Sequence, residues 1–168
     1  DGFATAYILT QAIKKIGSFD MILCGRQAAD WDVGMVGSAM AEYLGIPVVI
    51  RAKSIEVLDG KIKVERVVMN GSEVFEVALP ALVTMSNEMG QARIPAGRGI
   101  IMAAKKQFQK WGAADLGAEA SKTGAAAARN NLIKLFIPSY QRTCEYVTGK
   151  DPAEAAALLA EKILAIKP

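Results

Sequence analysis

The sequence contains no histidine, and this absence limits the chemistry that the chain can perform alone. Catalytic zinc sites, many haem sites and Ser-His-Asp triads use imidazole nitrogens as ligands or bases. A chain of this composition that handles electrons therefore needs a bound redox group. We accordingly name no catalytic residue and no metal ligand.

Cysteine is scarce as well, since the chain has only Cys24 and Cys144, far apart and in no pair motif. No export signal is visible, and two lone cysteines fit a reducing compartment, so we expect a cytoplasmic location. No apolar run approaches the roughly 18 residues that a membrane span needs. The chain starts at Asp1 inside an apparent helix and without an initiator Met, so we expect an N-terminal portion to be missing.

A strong charge bias is also absent. The net charge is +3, and lysine and arginine are dispersed apart from Lys105 and Lys106, which argues against a nucleic-acid-binding protein. The sequence is 52% hydrophobic and 22% charged over 168 residues, which is typical of a globular domain with a single core.

Hydrophobic spacing in the first third predicts alternating helices and strands. Apolar residues recur with helical period up to Gly17 and again up to Gly45, and a glycine at such a position commonly ends a helix. Short apolar runs between these helices predict buried strands. The predicted order is a helix over 1–17, a strand over 19–24, a loop over 25–34, a helix over 36–44 and a strand from 47 to 50. This order favours a parallel sheet.

The middle of the chain predicts an antiparallel meander. Asp59-Gly60 and Asn70-Gly71 supply the positive φ angles of tight hairpin turns. They separate short segments at 54–58, 61–68 and 74–77, and a further buried strand follows at 81–85.

The remainder of the chain predicts less regular structure. We predict a helix over 100–108, a linker or weak helix over the Ala-rich residues 117–129, and an extended segment over 132–137. A last helix begins after Asp151, which can cap it, with Pro152 in its first turn.

The stretch from Cys24 to Gly37 is the strongest candidate for a binding loop. It follows the carboxyl end of a predicted parallel strand, where ligands of open α/β sheets bind, and it enters a helix whose free N–H groups suit a phosphate. Gly34 and Gly37 permit close backbone approach. Arg26 adds a fork of donors, and Gln27 can both donate and accept, as a base edge or a ribose hydroxyl requires.

Asp30 and Asp32 complicate that interpretation, because carboxylates repel phosphate. They suit ribose hydroxyls or neighbouring N–H groups. The alternative is that Asp32 is a helix N-cap, Asp30 is a solvated loop residue and the loop binds nothing. Spacing alone favours this alternative, since the stretch is neither GxGxxG nor a P-loop.

Residues 19–37, FDMILCGRQAADWDVGMVG, resemble the signature of electron transfer flavoprotein beta subunits. In that family a strand ends in Gly-Arg/Lys-Gln-Ala, continues through Asp-x-Asp and enters a helix through Gln-x-Gly. Further similar motifs follow in order: Ala4-Thr5-Ala6, Leu44-Gly45-Ile46-Pro47, Val64-Glu65-Arg66, Leu79-Pro80-Ala81, Asn87-Glu88, Arg93-Ile94-Pro95 and Arg98-Gly99-Ile100. The C-terminal similarity is weaker and rests mainly on Gly149 and the helix after Pro152.

The resemblance implies a fold and a domain division. The implied fold is a three-layer, mostly parallel twisted α/β sheet, adenine nucleotide alpha hydrolase-like and Rossmann-like, with an antiparallel hairpin extension and a C-terminal arm. Residues 1–116 would form the C-terminal part of the nucleotide-binding domain. Residues 117–168 would form an arm and helix that contact a partner subunit.

The resemblance also implies an electron carrier rather than an enzyme with its own catalytic residues. The family's beta subunit pairs with an alpha subunit, FAD is held mostly by alpha, and the beta site holds AMP or a second FAD. Electrons pass from acyl-CoA dehydrogenase-type flavoproteins to a quinone oxidoreductase or another acceptor. The implied cofactor-binding residues are Cys24, Gly25, Arg26, Gln27, Ala28, Ala29, Asp30, Asp32, Gly34, Met35, Val36 and Gly37. The implied partner-docking residues are Glu88, Arg93, Ile94, Pro95, Gly97 and Arg98.

Three departures from the family pattern stand out. Met35 replaces a usual Gln, which removes one polar contact near the nucleotide. Gly97 replaces a Leu that can anchor the family's docking loop in a dehydrogenase pocket. The family's first stretch, with early strands and a loop that helps to hold the nucleotide, has no counterpart in this sequence.

Two other functions remain open at this stage. One is an adenine-nucleotide-binding module of the universal stress protein type, although the glycine- and Ser/Thr-rich phosphate loop usual there is not found. The other is a structural interaction module with an empty loop.

Overall fold

The computed structural model describes residues 1–166 and divides into two compact units. The first unit is Asp1–Asn131, and the second begins at Leu132. The domain boundary implied by the resemblance, after residue 116, stays a prediction.

Two helices of the first unit have the predicted ends. Helix α1 is Gly2–Ile16, and the carboxylate of Asp1 accepts two N–H groups of its first turn at 3.1 Å. Gly17 ends α1 with a φ of 103°. Helix α2 is Val36–Leu44 and ends at Gly45, which has left-handed backbone. Both predictions are confirmed, because local cap chemistry specifies these ends.

The described residues form one five-stranded sheet in the order β1-β5-β2-β3-β4. Its strands are β1 (Met21–Gly25), β2 (Val48–Val57), β3 (Lys61–Val68), β4 (Gly71–Ala78) and β5 (Ala81–Met85). Strands β1 and β2 both run parallel to β5, whereas β2, β3 and β4 form an antiparallel meander. The meander is confirmed. The prediction of a mostly parallel sheet is wrong, because the meander strands are long and carry the longest ladder.

Strand β2 joins two segments that the sequence pattern separates. Its first half pairs with β5 and its second half pairs with β3, with register shifts on either side of Ala52. Between the halves, Arg51 has a φ of 59°. The bend at Arg51 lets one strand link the parallel part of the sheet to the antiparallel part.

The core consists of two clusters on opposite faces of the sheet, since successive residues of β5 point in opposite directions. Leu82 packs with Ala6 of α1 and with residues of α2. Val83 packs with β2 and β3 on the other face. In the described part, α1 and α2 thus cover the same face. The third layer and the Rossmann-like relationship stay predictions.

The rest of the first unit has short elements. A 3-10 turn at Asn87–Met89 follows β5, and helix α3 is Gly97–Ala104, earlier than the predicted 100–108. Within the Ala-rich segment the structure has two 3-10 turns, Ala120–Lys122 and Gly124–Ala127, joined by irregular backbone. That segment is therefore a linker rather than an α-helix.

The second unit contains helix α4, Pro152–Ala165, with Asp151 as its N-cap as predicted. Residues 132–149 before it have no regular structure, and their large apolar side chains are exposed. Across residues 1–166, no helix combines the length and apolarity needed to cross a membrane. The same residues contain no cluster of acidic and cysteine side chains suited to a metal ion.

Candidate functional site

The candidate site lies where β1 and β5 end side by side. These strands are parallel and in register from Met21 opposite Ala81 to Gly25 opposite Met85. Their carboxyl ends therefore meet at one edge of the sheet, the edge at which α/β folds bind ligands. The segments that follow Gly25 and Met85 leave this edge as neighbours.

A cleft of about 480 Å³ separates these two segments. Gly25, Arg26, Gln27, Ala29 and Asp32, all predicted cofactor-binding residues, line one side. The lining on the other side is Met85, Ser86 and Asn87. The lining combines polar groups, among them Arg26, Gln27 and Asn87, with apolar surface in nearly equal amounts, and the volume is in the usual range for small-molecule sites.

The loop side is held together by its own hydrogen bonds. Gln27 Nε2 donates to Asp32 Oδ1 at 2.9 Å, and the Asp32 N–H donates to the Ala28 carbonyl at 3.0 Å. The Trp31 N–H donates to Asp30 Oδ1 at 2.9 Å. Gln27 thus fixes the Asp32 carboxylate at the cleft, while its own carbonyl oxygen stays available to accept a hydrogen bond.

The interpretation of Asp32 as the N-cap of α2 is wrong. Met35 occupies that position and makes no side-chain hydrogen bond to the helix. Asp32 instead has a φ of 51° within the loop. The first N–H groups of α2 thus lack a side-chain cap, yet Met35, Val36 and Gly37 are not among the cleft-lining residues. A phosphate contact from α2 stays a prediction.

The two glycines of the loop serve internal packing. A Cβ at Gly34 would lie 3.3 Å from the Arg26 carbonyl oxygen. A Cβ at Gly37 would lie 2.6 Å from Thr84 Cγ2, which is too close for any side chain. Gly37 therefore allows α2 to pack directly on β5. Gly34 thus approaches the loop backbone and Gly37 approaches the sheet, and a close approach of either glycine to a ligand stays a prediction.

Cys24, also predicted near the cofactor, packs beneath α2 with the helix-side core. It does not line the cleft. Partial burial raises the pKa of its thiol, so the neutral form predominates near neutral pH. These properties fit a core residue rather than a reactive one.

The sequence interpretation missed the far wall of the cleft. Ser86 is buried, its N–H donates to the Ala52 carbonyl at 2.9 Å, and its Oγ accepts from the Glu88 N–H at 3.3 Å. Both strands were predicted, so a parallel pairing between them was the available signal. It would have placed Met85 beside Gly25.

Residues 1–116 match the family model of the electron transfer flavoprotein domain. The chain belongs to this family. It is 35% identical to the electron transfer flavoprotein subunit beta of Thermoanaerobacterium thermosaccharolyticum, over 97% of this chain and 62% of that protein. It is 34% identical, with the same coverage, to the caffeyl-CoA reductase-Etf complex subunit CarD of Acetobacterium woodii.

A third relative is the electron transfer flavoprotein subunit beta of Megasphaera elsdenii, 33% identical over 99% of this chain and 65% of that protein. The chain therefore spans somewhat less than two thirds of the length of the curated relatives that it matches. The resemblance found in the sequence is confirmed, and the universal stress protein alternative is not favoured.

Membership of the electron transfer flavoprotein family implies flavin and nucleotide cofactors, and the donor set of the cleft fits a nucleotide. Arg26 at the cleft is a cation of the kind that binds phosphate, and the Asp32 carboxylate is an acceptor of the kind that binds hydroxyl groups. Gln27 and Asn87 supply amide groups that can both donate and accept. The cleft thus offers groups of the kinds that the phosphate and the hydroxyls of a nucleotide require.

The predicted docking residues form an exposed segment of this flavoprotein domain beyond the cleft. Glu88 is in the 3-10 turn next to the cleft wall, whereas Arg93, Ile94 and Pro95 lie in irregular backbone before α3. Ile94 is 94% exposed. Gly97, with Arg98 after it, begins α3, and a Cβ there would face open space.

Proposed function

We propose that this chain is part of the beta half of an electron transfer flavoprotein, an electron carrier that works with an alpha subunit. The observation that carries this proposal is the polar cleft between β1 and β5. It lies within the family match and is lined by residues of the family's glycine-bearing loop. FAD shared with alpha is the redox group, and AMP or a second FAD is the ligand of the cleft.

The cleft residues bind and orient that nucleotide. Arg26 contacts phosphate, and the Asp32 carboxylate, fixed by Gln27, accepts from ribose hydroxyls. Ser86 and Asn87 close the opposite side. The other predicted cofactor residues act through loop shape and packing, as the positions of Gly34 and Gly37 indicate. The flavin supplies the electron-accepting chemistry, and none of these side chains has to act as an acid or base.

Electron donors dock on the exposed segment that includes Glu88, Arg93–Pro95 and α3. This segment presents Ile94 and the exposed apolar residues of α3 between charged side chains. Acyl-CoA dehydrogenase-type flavoproteins are the proposed donors, and a quinone oxidoreductase is a proposed acceptor. The name of the relative CarD supports a partner that acts on CoA thioesters. Because Gly97 has no side chain, Ile94 and the exposed apolar residues of α3 make the apolar contact with the donor.

The second unit provides contact with the alpha subunit. Residues 132–137 carry Ile133 and Ile137, which are 94% and 95% exposed, together with other exposed apolar side chains. Apolar residues with such high exposure, in a segment without regular structure, are typical of a surface that is covered in a complex. The alpha subunit is the proposed cover.

The test is to purify the chain with its alpha partner, record the flavin spectrum, and identify nucleotides released by denaturation with mass spectrometry. We expect FAD, together with AMP or additional FAD. Arg26→Ala should lower the content of the second nucleotide by about tenfold, since a charge-assisted contact is lost. Lys14→Ala, an exposed change on α1, is the matched control. A stable heterodimer that lacks flavin and accepts no electrons would refute the proposal.

A further inference from the structure

Arg51 has a backbone conformation that is unusual for its residue type. Its φ of 59° lies in the left-handed region, within strand β2. In the described part of the chain, the other non-glycine residue with a positive φ is Asp32 of the cleft. Such conformations are unfavourable for side chains with a Cβ and persist only where surrounding contacts hold them.

Two sets of hydrogen bonds hold Arg51. Its N–H donates to Thr84 Oγ1 at 3.0 Å, which links it to β5. Its guanidinium Nε and Nη2 both donate to the Val67 carbonyl, at 3.1 and 2.7 Å. The β2–β3 ladder ends where Ala52 pairs with Arg66, so the guanidinium continues the connection to β3 beyond that point.

The bend at Arg51 determines where the next residue lies, and Ala52 supports the far wall of the cleft. Ala52 pairs with Met85, and its carbonyl accepts the Ser86 N–H at 2.9 Å. Met85 and Ser86 both line the cleft. Arg51 itself does not line it. Its influence on the cleft therefore passes through Ala52.

We infer that Arg51 is a positioning residue that sets the width of the cleft by holding Ala52 against Ser86. The left-handed backbone turns β2 toward β5, and the guanidinium locks that turn to β3. The part of this inference that concerns ligand affinity rests on the proposed nucleotide function, whereas the part that concerns the Ser86 hydrogen bond does not.

The first measurement is amide hydrogen exchange at Ser86 in the full chain. Arg51→Ala should accelerate exchange at this amide by about tenfold, because charge-assisted bonds that hold its acceptor are lost. Arg51→Lys should have a smaller effect, since one ammonium replaces two guanidinium donors. Amides in α1 should be unaffected. Lys53→Ala is the matched control, because Lys53 lies on the same strand as Arg51 and the change removes an ion pair with Glu65 of β3.

The second measurement is AMP affinity by calorimetry with the same proteins. Arg51→Ala should weaken binding by about tenfold, and Lys53→Ala should not change it. Arg51→Gly adds a further test, because glycine accepts the left-handed backbone but has no guanidinium. This variant should keep its melting temperature while its AMP affinity and Ser86 protection fall, a separation that a purely structural role would not produce.

If the Ser86 exchange rate and the AMP affinity of all three Arg51 variants equal those of the wild-type chain, the inference is overturned. If the wild-type chain binds no AMP, the assignment of the cleft fails, and Ser86 exchange still decides the role of Arg51. If Arg51→Ala does not fold, Ser86 exchange and AMP affinity are compared between the wild-type chain and the variants Arg51→Lys and Arg51→Gly.

Discussion

Replacing Gly37 by alanine tests the contact that places α2, and with it the end of the binding loop, on the sheet. The new Cβ would lie 2.6 Å from Thr84 Cγ2 and 3.4 Å from Leu82 Cδ2. Carbon atoms in contact are normally about 3.5–4.0 Å apart. The first distance must therefore grow by about 1 Å, and neither atom has free space, because Thr84 and Leu82 are buried.

Two effects of opposite sign decide the outcome. Alanine is preferred over glycine inside a helix by up to about 1 kcal/mol, and by less in the first turn, where Gly37 lies. Overpacking a close-packed core costs about 1–3 kcal/mol. The steric term is the larger, so we expect a net loss of about 1–2 kcal/mol. For a chain of this size that lowers the melting temperature by about 2–8 °C.

The sharpest assay is a double-mutant cycle with Thr84→Ser, followed by urea unfolding. Serine removes the obstructing methyl group but retains the hydroxyl that accepts the Arg51 N–H. Alone it should cost about 1 kcal/mol for a lost buried methyl group. Combined with Gly37→Ala it should leave the Cβ in ordinary contact with Leu82. The double variant should be at least about 1 kcal/mol more stable than the sum of the single changes.

Strict additivity in this cycle would refute the steric explanation. Gly99→Ala in α3 is the matched control, because a Cβ there meets nothing within 4 Å and the backbone φ is not positive. Its stability should be unchanged or slightly higher. A loss equal to that of Gly37→Ala would show that the contact with Thr84 is irrelevant.

Two further predictions concern ionisable groups. Iodoacetamide should modify the exposed Cys144 before Cys24, because burial raises the pKa of the Cys24 thiol and only the thiolate reacts. Peptide mass spectrometry at increasing reaction times tests this order. Equal rates of modification at the two cysteines would contradict it. The hydrogen bond from Lys61 lowers the pKa of the Glu76 carboxyl. The Lys61–Glu76 contact should therefore stabilise the fold slightly near neutral pH, and this stabilisation should be lost as pH falls through the lowered pKa. An NMR titration should show the Glu76 midpoint move back toward its ordinary value in Lys61→Met, and an unchanged midpoint would exclude the contact in solution.

Local chemistry explains which parts of the fold were predictable. Gly17 and Gly45 end helices because glycine accepts left-handed or otherwise unusual backbone at a C-cap, and Asp151 begins one because its carboxylate accepts first-turn N–H groups. Asp59-Gly60 and Asn70-Gly71 define hairpins through the same conformational preference. Each of these signals involves residues close in sequence, so no long-range contact was needed to interpret it.

The strand order was not predictable in the same way. Strand β5 lies between β1 and β2. The chain therefore runs from β1 to β2, forms the meander with β3 and β4, and then returns to place β5 in the gap. No local pattern specifies such an insertion. The near wall of the cleft could therefore be named from the Gly25–Asp32 motif, whereas Met85–Asn87 became visible only through the parallel register.

Arg51 shows a second kind of limit. The polar residues Arg51, Lys53 and Ser54 interrupt an apolar run, which suggested that one strand ended and another began. Instead the backbone turns at Arg51 and β2 continues to Val57. The turn is stabilised by Thr84 and Val67, which are distant in sequence, so the pattern around Arg51 contained no sign of it.

Thr84 connects the two sides of the cleft, although it does not line it. Its methyl group limits how closely α2 approaches at Gly37, and its hydroxyl accepts the N–H of Arg51. The binding loop leads into α2, and the opposite wall follows Thr84 directly along the chain. A shift of either neighbour must therefore displace Thr84 or break a contact with it. Because Thr84 is buried, no solvent-filled space absorbs such a shift, so we expect a displacement of one wall to displace the other. The shape of the cleft is for this reason a property of the core beneath it as much as of the residues that line it.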